Sequence, residues 1–271
     1  MEIITNFLYQ FVFTVGVIVA FGLLISFCRR TFCRLAGRSG GKLLLITGAV
    51  GTPIHELSHA LMCLIFGHKI VEIKLYQPRS VDGVLGYVNH SYNPKNLYHQ
   101  IGNFFIGVAP ILCGSGVLLL LMRIMVPDLC SDVIFELQSM DVSSGFFDLS
   151  TYGSLLAVFW NILISIFAFS NWGNILWWIF IVLALMVSSH MELSTLDIKG
   201  SLRGFLTLAG LFLVMDVILY FVSPFALEAV TVATSSFALS CASFLAISGV
   251  FSGIMLLAAL AVKGITRLVK R

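Results

Sequence analysis

The segment at residues 51–60 carries the side chains of this chain that are best suited to chemistry, in the pattern His55-Glu56-Leu-Ser-His59. Two histidines four positions apart lie on one face of an α-helix, so both imidazoles can reach a single ion. Glu56 lies about 100° around the helix from His55, close enough to touch a water bound to that ion. Two nitrogen ligands, a carboxylate base and an open coordination position are typical of a zinc hydrolase. The motif therefore predicts Zn²⁺ at His55 and His59, with Glu56 as the catalytic base.

An ordinary helix with two surface histidines and a salt-bridging glutamate would carry the same motif. Here, however, the motif lies in an apolar run that continues through residues 61–66. Ionisable groups within a membrane helix are energetically costly and usually functional. The apolar surroundings therefore favour a metal site.

A catalytic zinc site needs a third protein ligand. A short polar insert at residues 192–200 is flanked by long apolar runs and contains Glu192 and Asp197. Ser194 stands three residues before Asp197, which predicts a helix start that holds this carboxylate in the first turn. This helix start favours Asp197 as the third ligand, with His190 and Glu192 as its competitors. The other candidates are the remaining histidines and one intramembrane carboxylate, His68, His90, His99 and Asp216.

The composition indicates a membrane protein. Of the 271 residues, 59% are hydrophobic and only 11% are charged, whereas a soluble domain has about 25% charged residues. The basic residues cluster at the ends of apolar runs, which indicates topology signals and no nucleic-acid partner. The six cysteines contain no C-x-x-C pair, so we expect buried apolar side chains rather than disulfides or a zinc cluster.

The apolar runs predict an all-α polytopic membrane protein with about six transmembrane helices and a small β-hairpin after the zinc-motif helix. The whole chain, residues 1–271, is expected to form one integral-membrane domain. Residues 67–100 alternate apolar and charged positions around turn residues, which predicts the hairpin, with strands near 71–76 and 84–88. Residues 127–150 contain five acidic and no basic side chains, which predicts an external loop. The spans are predicted near 6–28, 43–66, 101–126, 204–222 and 238–262, with one or two more within 151–189.

The basic residues give conflicting topology signals. Those after residue 262 place the C-terminus in the cytoplasm, and those at residues 29–42, which include no acidic residue, indicate the cytoplasm too. If residues 151–189 cross the membrane once, however, residues 29–42 are external, against their charge. The sequence leaves open the N-terminal topology and the number of crossings within 151–189.

The pairing of the His55–His59 motif with a distant Leu196-Asp197 at a helix start resembles the site-2 protease family of intramembrane zinc metalloproteases. The hairpin at residues 69–89 is similar to the β-element that follows the zinc helix in that family. Gly102-Asn103 ahead of Val108-Ala-Pro110 is similar, more loosely, to a helix beside the family's site. The resemblance covers about residues 43–126 and 189–222, which would form the catalytic core.

This resemblance implies Zn²⁺ ligands at His55, His59 and Asp197, a general base at Glu56, and cleavage of membrane-protein or peptide substrates. We expect a multi-pass protein of a bacterial plasma membrane, and the sequence does not predict its oligomeric state. Asn103 is a candidate for holding the substrate or an oxyanion, although helix packing explains it equally well. His190 is a candidate for orienting a zinc ligand, the alternative being a histidine at the membrane boundary.

Two features depart from the family pattern. Asp197 is followed by Ile-Lys-Gly, whereas the family's aspartate usually stands in an Asn-x-x-Pro…Asp-Gly context, and no PDZ or CBS domain is present. These departures leave an alternative function, a zinc-binding membrane protein with a structural or regulatory role that cleaves nothing.

Overall fold

The computed structural model describes residues 2–80, 83–139 and 149–269, and in these residues it contains eight α-helices and one two-stranded sheet. In chain order the elements are α1 (Glu2–Phe11), a π-helical turn (Val12–Gly16), α2 (Val17–Ile65), β1 (Lys69–Lys74), β2 (Tyr87–Ser91), α3 (Leu97–Met125), α4 (Pro127–Gln138), α5 (Leu149–Ile166), a 3₁₀ turn (Phe169–Asn171), α6 (Ile175–Ser188), α7 (Thr195–Val222) and α8 (Pro224–Val269). The predicted combination of a helical protein with one small hairpin is confirmed.

Within the described residues, four helical stretches are long and apolar enough to cross a membrane. They are Ile3–Gly37, Leu97–Met125, Thr195–Val222 and Phe225–Ala261. The prediction of helices long and apolar enough to span a membrane is thus confirmed, whereas the count of six is not. The predicted run at residues 151–189 forms two shorter apolar helices, α5 and α6. Residues 38–65, which carry the His55–His59 motif, are not among the four. The polar side chains of the motif lower the mean hydropathy of that stretch.

The predicted break between the first two spans is present as a kink at Gly37, and not as a loop over residues 29–42. Residues 29–42 continue as helix within α2, and non-helical backbone occurs at Gly37, with φ 54° and ψ −132°. Glycine adopts this positive φ without a Cβ clash, so α2 consists of two helical halves that meet at a kink, where the first apolar stretch ends. Arg29 forms an ion pair with Glu192. At least one basic residue of this segment therefore makes a contact within the protein and is not simply a signal of membrane topology.

The acidic segment at residues 127–150 begins as a helix instead of the predicted loop. Pro127 is the first residue of α4, a position where no helical hydrogen bond needs its missing N–H. Asp128 follows in the first turn, where its carboxylate interacts favourably with the helix dipole. Residues 140–148 lie outside the described part of the chain. The helix packs against α3 and α5.

The hairpin follows α2 with almost no linker. Strands β1 and β2 pair antiparallel, with Ile70 opposite His90 and an irregularity in register between Ile70 and Glu72. Both strands lie a few residues from their predicted positions, because the end of α2 turns the chain directly into β1.

Helix α3 is the centre of the bundle and packs against α2, α6, α7 and α8. Its glycines permit close helix contacts, as the sequence predicts. A Cβ on Gly107 would lie 2.6 Å from Ser201 Cβ and 2.8 Å from the Asp197 carbonyl oxygen. Helix α3 therefore touches the first turn of α7, where Asp197 is located.

We expect Gly204→Ala to destabilise the contact between α3 and α7. A Cβ at Gly204 would lie 2.4 Å from the Phe104 backbone nitrogen and 2.6 Å from the Gln100 carbonyl oxygen, so the two helices would have to separate. Overpacking of this kind costs about 1–3 kcal/mol, measurable as a lower Tm in detergent. Gly210→Ala on the same helix is the matched control, because its Cβ would meet no atom within 4 Å. Equal Tm values for the two variants would contradict this packing.

Candidate metal centre

The side chains of His55, His59 and Asp197 converge, and we call them the histidine–aspartate cluster. The two Nε2 atoms lie 3.1 Å apart, and Asp197 Oδ1 lies 3.3 Å from His59 Nε2. Asp197 Oδ2 lies 3.9 Å from His55 Nε2. Ligand atoms bound to one tetrahedral zinc ion are separated by roughly 3.4 Å, given bond lengths near 2.1 Å. The three side chains are therefore close enough together to hold one metal ion.

Backbone carbonyls orient both imidazoles. His55 Nδ1 donates to the His190 carbonyl oxygen at 2.6 Å, and His59 Nδ1 donates to the Ile106 carbonyl oxygen at 2.7 Å. Because a carbonyl can only accept, each Nδ1 carries the proton and each Nε2 presents a lone pair to the cluster. The rings are thus fixed from two sides, by the segment before α7 and by α3.

The start of α7 holds Asp197, as the sequence predicts. Ser194 is the N-cap, and its Oγ accepts from the Asp197 backbone N–H at 3.1 Å. In return Asp197 Oδ2 accepts from the Ser194 backbone N–H at 2.8 Å, which completes a capping box. With Oδ2 engaged by the backbone, Oδ1 is the oxygen closest to His59.

The two alternative third ligands are engaged elsewhere. The ring of His190 contacts the hydroxyls of Thr47 and Thr52, at 3.0 Å through Nε2 and 3.3 Å through Nδ1. The carboxylate of Glu192 pairs with Arg29. His190 contacts the cluster through its backbone carbonyl oxygen and not through its imidazole.

Glycine at position 51 makes this support possible. A Cβ there would lie 2.4 Å from the Met186 carbonyl oxygen and 2.6 Å from His190 Cδ2. Thr47, Thr52 and the Ile106 carbonyl oxygen also belong to the site and are not predicted by the sequence. Backbone carbonyls carry no sequence signal, and neither threonine stands in a motif that would pair it with a residue about 140 positions away.

Glu56 is only 6% exposed and lies between two cavities. One cavity, of about 510 Å³, opens toward Arg29 and His190. The other, of about 490 Å³, contains the histidine–aspartate cluster and is called the main cavity here. A Cβ on Gly86 would lie 2.8 Å from Glu56 Cγ, so the segment before β2 passes directly over this glutamate.

Asn103 of α3 also lines the main cavity. The residue is 5% exposed, and its Nδ2 has no hydrogen-bond partner among the described residues. A buried amide that only served helix packing would be expected to have its donors satisfied. This N–H donor is therefore available to a group that enters the cavity.

Comparison of the chain with protein-family models, with curated proteins and with solved structures finds no match. The resemblance to the site-2 protease family therefore stays a prediction, and functional inference depends on the geometry of the cluster and its cavities.

Proposed function

We propose that this chain is a zinc-dependent endopeptidase that cleaves membrane-protein or peptide substrates at the membrane. The observation that carries the proposal is the convergence of His55, His59 and Asp197 at metal-ligand spacing, with Glu56 beside them at a cavity. Three protein ligands and an accessible fourth position distinguish a catalytic zinc site from a closed structural one.

The donor set suits zinc. Two imidazole nitrogens and one carboxylate oxygen match the ligands that catalytic zinc takes, and both imidazoles are already oriented by carbonyls. When bound, zinc would lower the pKa of its water toward about 7 and polarise the scissile carbonyl.

Side chains of this protein would then transfer the protons and stabilise the negative charge of the reaction. Glu56 would accept the proton of the attacking water and deliver it to the leaving amide nitrogen. Asn103 would donate its free N–H to the oxyanion that develops on the carbonyl oxygen. Cleavage at the wild-type rate by Asn103→Ala would exclude that role.

The hairpin would hold the substrate in extended form. A helical substrate has its carbonyls bound within the helix and must unwind before attack. Strand β2 lines the main cavity through residues 87–90, whereas none of the described residues of β1 does. We therefore propose that the substrate adds as a strand at the outer edge of β2.

The proposal is tested by zinc-dependent proteolysis. Purified protein in proteoliposomes with a mixture of single-span membrane proteins should generate new N-termini, detected by mass spectrometry. Chelation should abolish these termini and added Zn²⁺ should restore them. A protein that binds zinc but generates no zinc-dependent termini from any substrate would favour the alternative, a non-proteolytic zinc-binding protein.

A further inference from the structure

We propose that the chain holds a second metal ion, bound by Cys63, His68 and His90, at the junction of the zinc-motif helix and the hairpin. We call these three residues the cysteine–histidine cluster. One ligand atom from each lies within 4.8 Å of the others. Cys63 is fully buried and His68 is 3% exposed, so both are withdrawn from solvent. This site is separate from the histidine–aspartate cluster and goes beyond the proposed peptidase function.

The end of α2 brings two of the three ligands together. Gly67 has φ +70°, and its N–H donates to the Leu64 carbonyl oxygen at 3.3 Å. The His68 backbone N–H donates to the Cys63 carbonyl oxygen at 2.8 Å, which completes a Schellman motif. This reversal returns His68 to the last turn of the helix, where Cys63 is located. The local sequence therefore builds this half of the site without help from distant elements.

The ring of His68 is oriented as a ligand. Its Nε2 donates to the His99 carbonyl oxygen at 2.9 Å, so the proton lies on Nε2 and the lone pair lies on Nδ1. The ring also stacks on Tyr92, with centroids 4.9 Å apart and planes 14° apart. Fixing one nitrogen on a carbonyl is the arrangement that the zinc ligands His55 and His59 also show.

Strand β2 supplies the third ligand. The pairing of His90 with Ile70 holds it at the base of the hairpin, and its Nδ1 lies 3.0 Å from His68 Nδ1. The hairpin therefore brings His90 beside the two ligands at the end of α2.

The ligands indicate the kind of ion and its place. One thiolate and two imidazoles suit zinc, whose tetrahedral sites commonly mix cysteine and histidine. His90 also lines the main cavity, which leaves room for a water as fourth ligand. Cys63 follows His59 by four residues, so the second ion would lie roughly 6 Å, one helical turn, from the first. Such an ion would link β2 to α2 and hold β2 in position as one wall of the main cavity.

Metal content and cobalt spectroscopy test the proposal on the full-length protein in detergent. We expect two zinc ions per chain by elemental analysis. After replacement of zinc by Co²⁺, wild type should show a near-ultraviolet thiolate-to-cobalt charge-transfer band. Of the two clusters, only the cysteine–histidine cluster contains a thiolate ligand. Cys63→Ser should lose this band and reduce the zinc content from two to one. His59→Ala should keep the band, also with one zinc.

Cys130→Ser is the matched control, since Cys130 is equally buried but lies in α4, away from both clusters. It should keep two zinc ions and the band. Absence of the band from cobalt-loaded wild type would overturn the second site without any variant having to fold. That result would leave the peptidase proposal intact, whereas two bound metals without cleavage would overturn the peptidase and keep the second site.

Discussion

Glu56→Gln is expected to retain bound zinc and to cleave substrate about 10²–10⁴-fold more slowly than wild type. The amide has the size of the carboxylate but cannot accept a proton from water, so the general-base contribution is lost. The proposed zinc ligands His55 and His59 are untouched, because their side chains are oriented by backbone carbonyls. The rate is measured on any substrate found in proteoliposomes, and zinc by elemental analysis of the same sample.

Glu136→Gln is the control for this experiment. Its carboxylate accepts a hydrogen bond from Asn161 of α5 and lines neither cavity at Glu56, so the same substitution there should leave the rate unchanged. Wild-type cleavage by zinc-loaded Glu56→Gln would contradict the proposed mechanism. Loss of zinc together with activity would instead show that Glu56 supports the metal site.

The local parts of the candidate site could be predicted from the sequence, since each rests on short-range rules. The helical repeat places His55 and His59 on one face. The Ser194–Asp197 spacing predicts the capping box that holds the aspartate. The association of these two segments was predicted only through a family resemblance, because no local rule joins residues about 140 positions apart.

The departures from the predicted fold have local causes as well. The positive φ of Gly37 joins the two halves of α2 through a kink, where a charged stretch indicated a loop between spans. Proline at the first position of α4 starts a helix in a segment that was identified only by its charge. In both cases a single residue's backbone preference outweighs the charge pattern of its surroundings.

The cysteine–histidine cluster was missed because its residues do not follow a familiar spacing. Cys63 and His68 stand five positions apart, which is too irregular for a helical face. The glycine before His68 was the available signal, since a glycine that ends a helix reverses the chain onto its last turn. The partner His90 becomes evident only from the register of the hairpin.

Asp197→Ala is expected to remove zinc from the histidine–aspartate cluster and to abolish cleavage. The substitution deletes one of three protein ligands and also the capping-box acceptor, which by itself costs about 1 kcal/mol. Asp197→Asn separates the two effects. Its side-chain oxygen can still accept from the Ser194 N–H, so its Tm should stay close to that of wild type, while its neutral amide binds zinc far more weakly.

The measurements are zinc per chain, Tm and cleavage for both variants. We expect each variant to lose one zinc ion, to keep the thiolate-to-cobalt band of the cysteine–histidine cluster, and to cleave nothing. If Asp197→Asn kept all of its zinc and its activity, Asp197 would be a helix cap alone. The third ligand would then have to come from outside this cluster, because His190 and Glu192 are held by Thr47, Thr52 and Arg29.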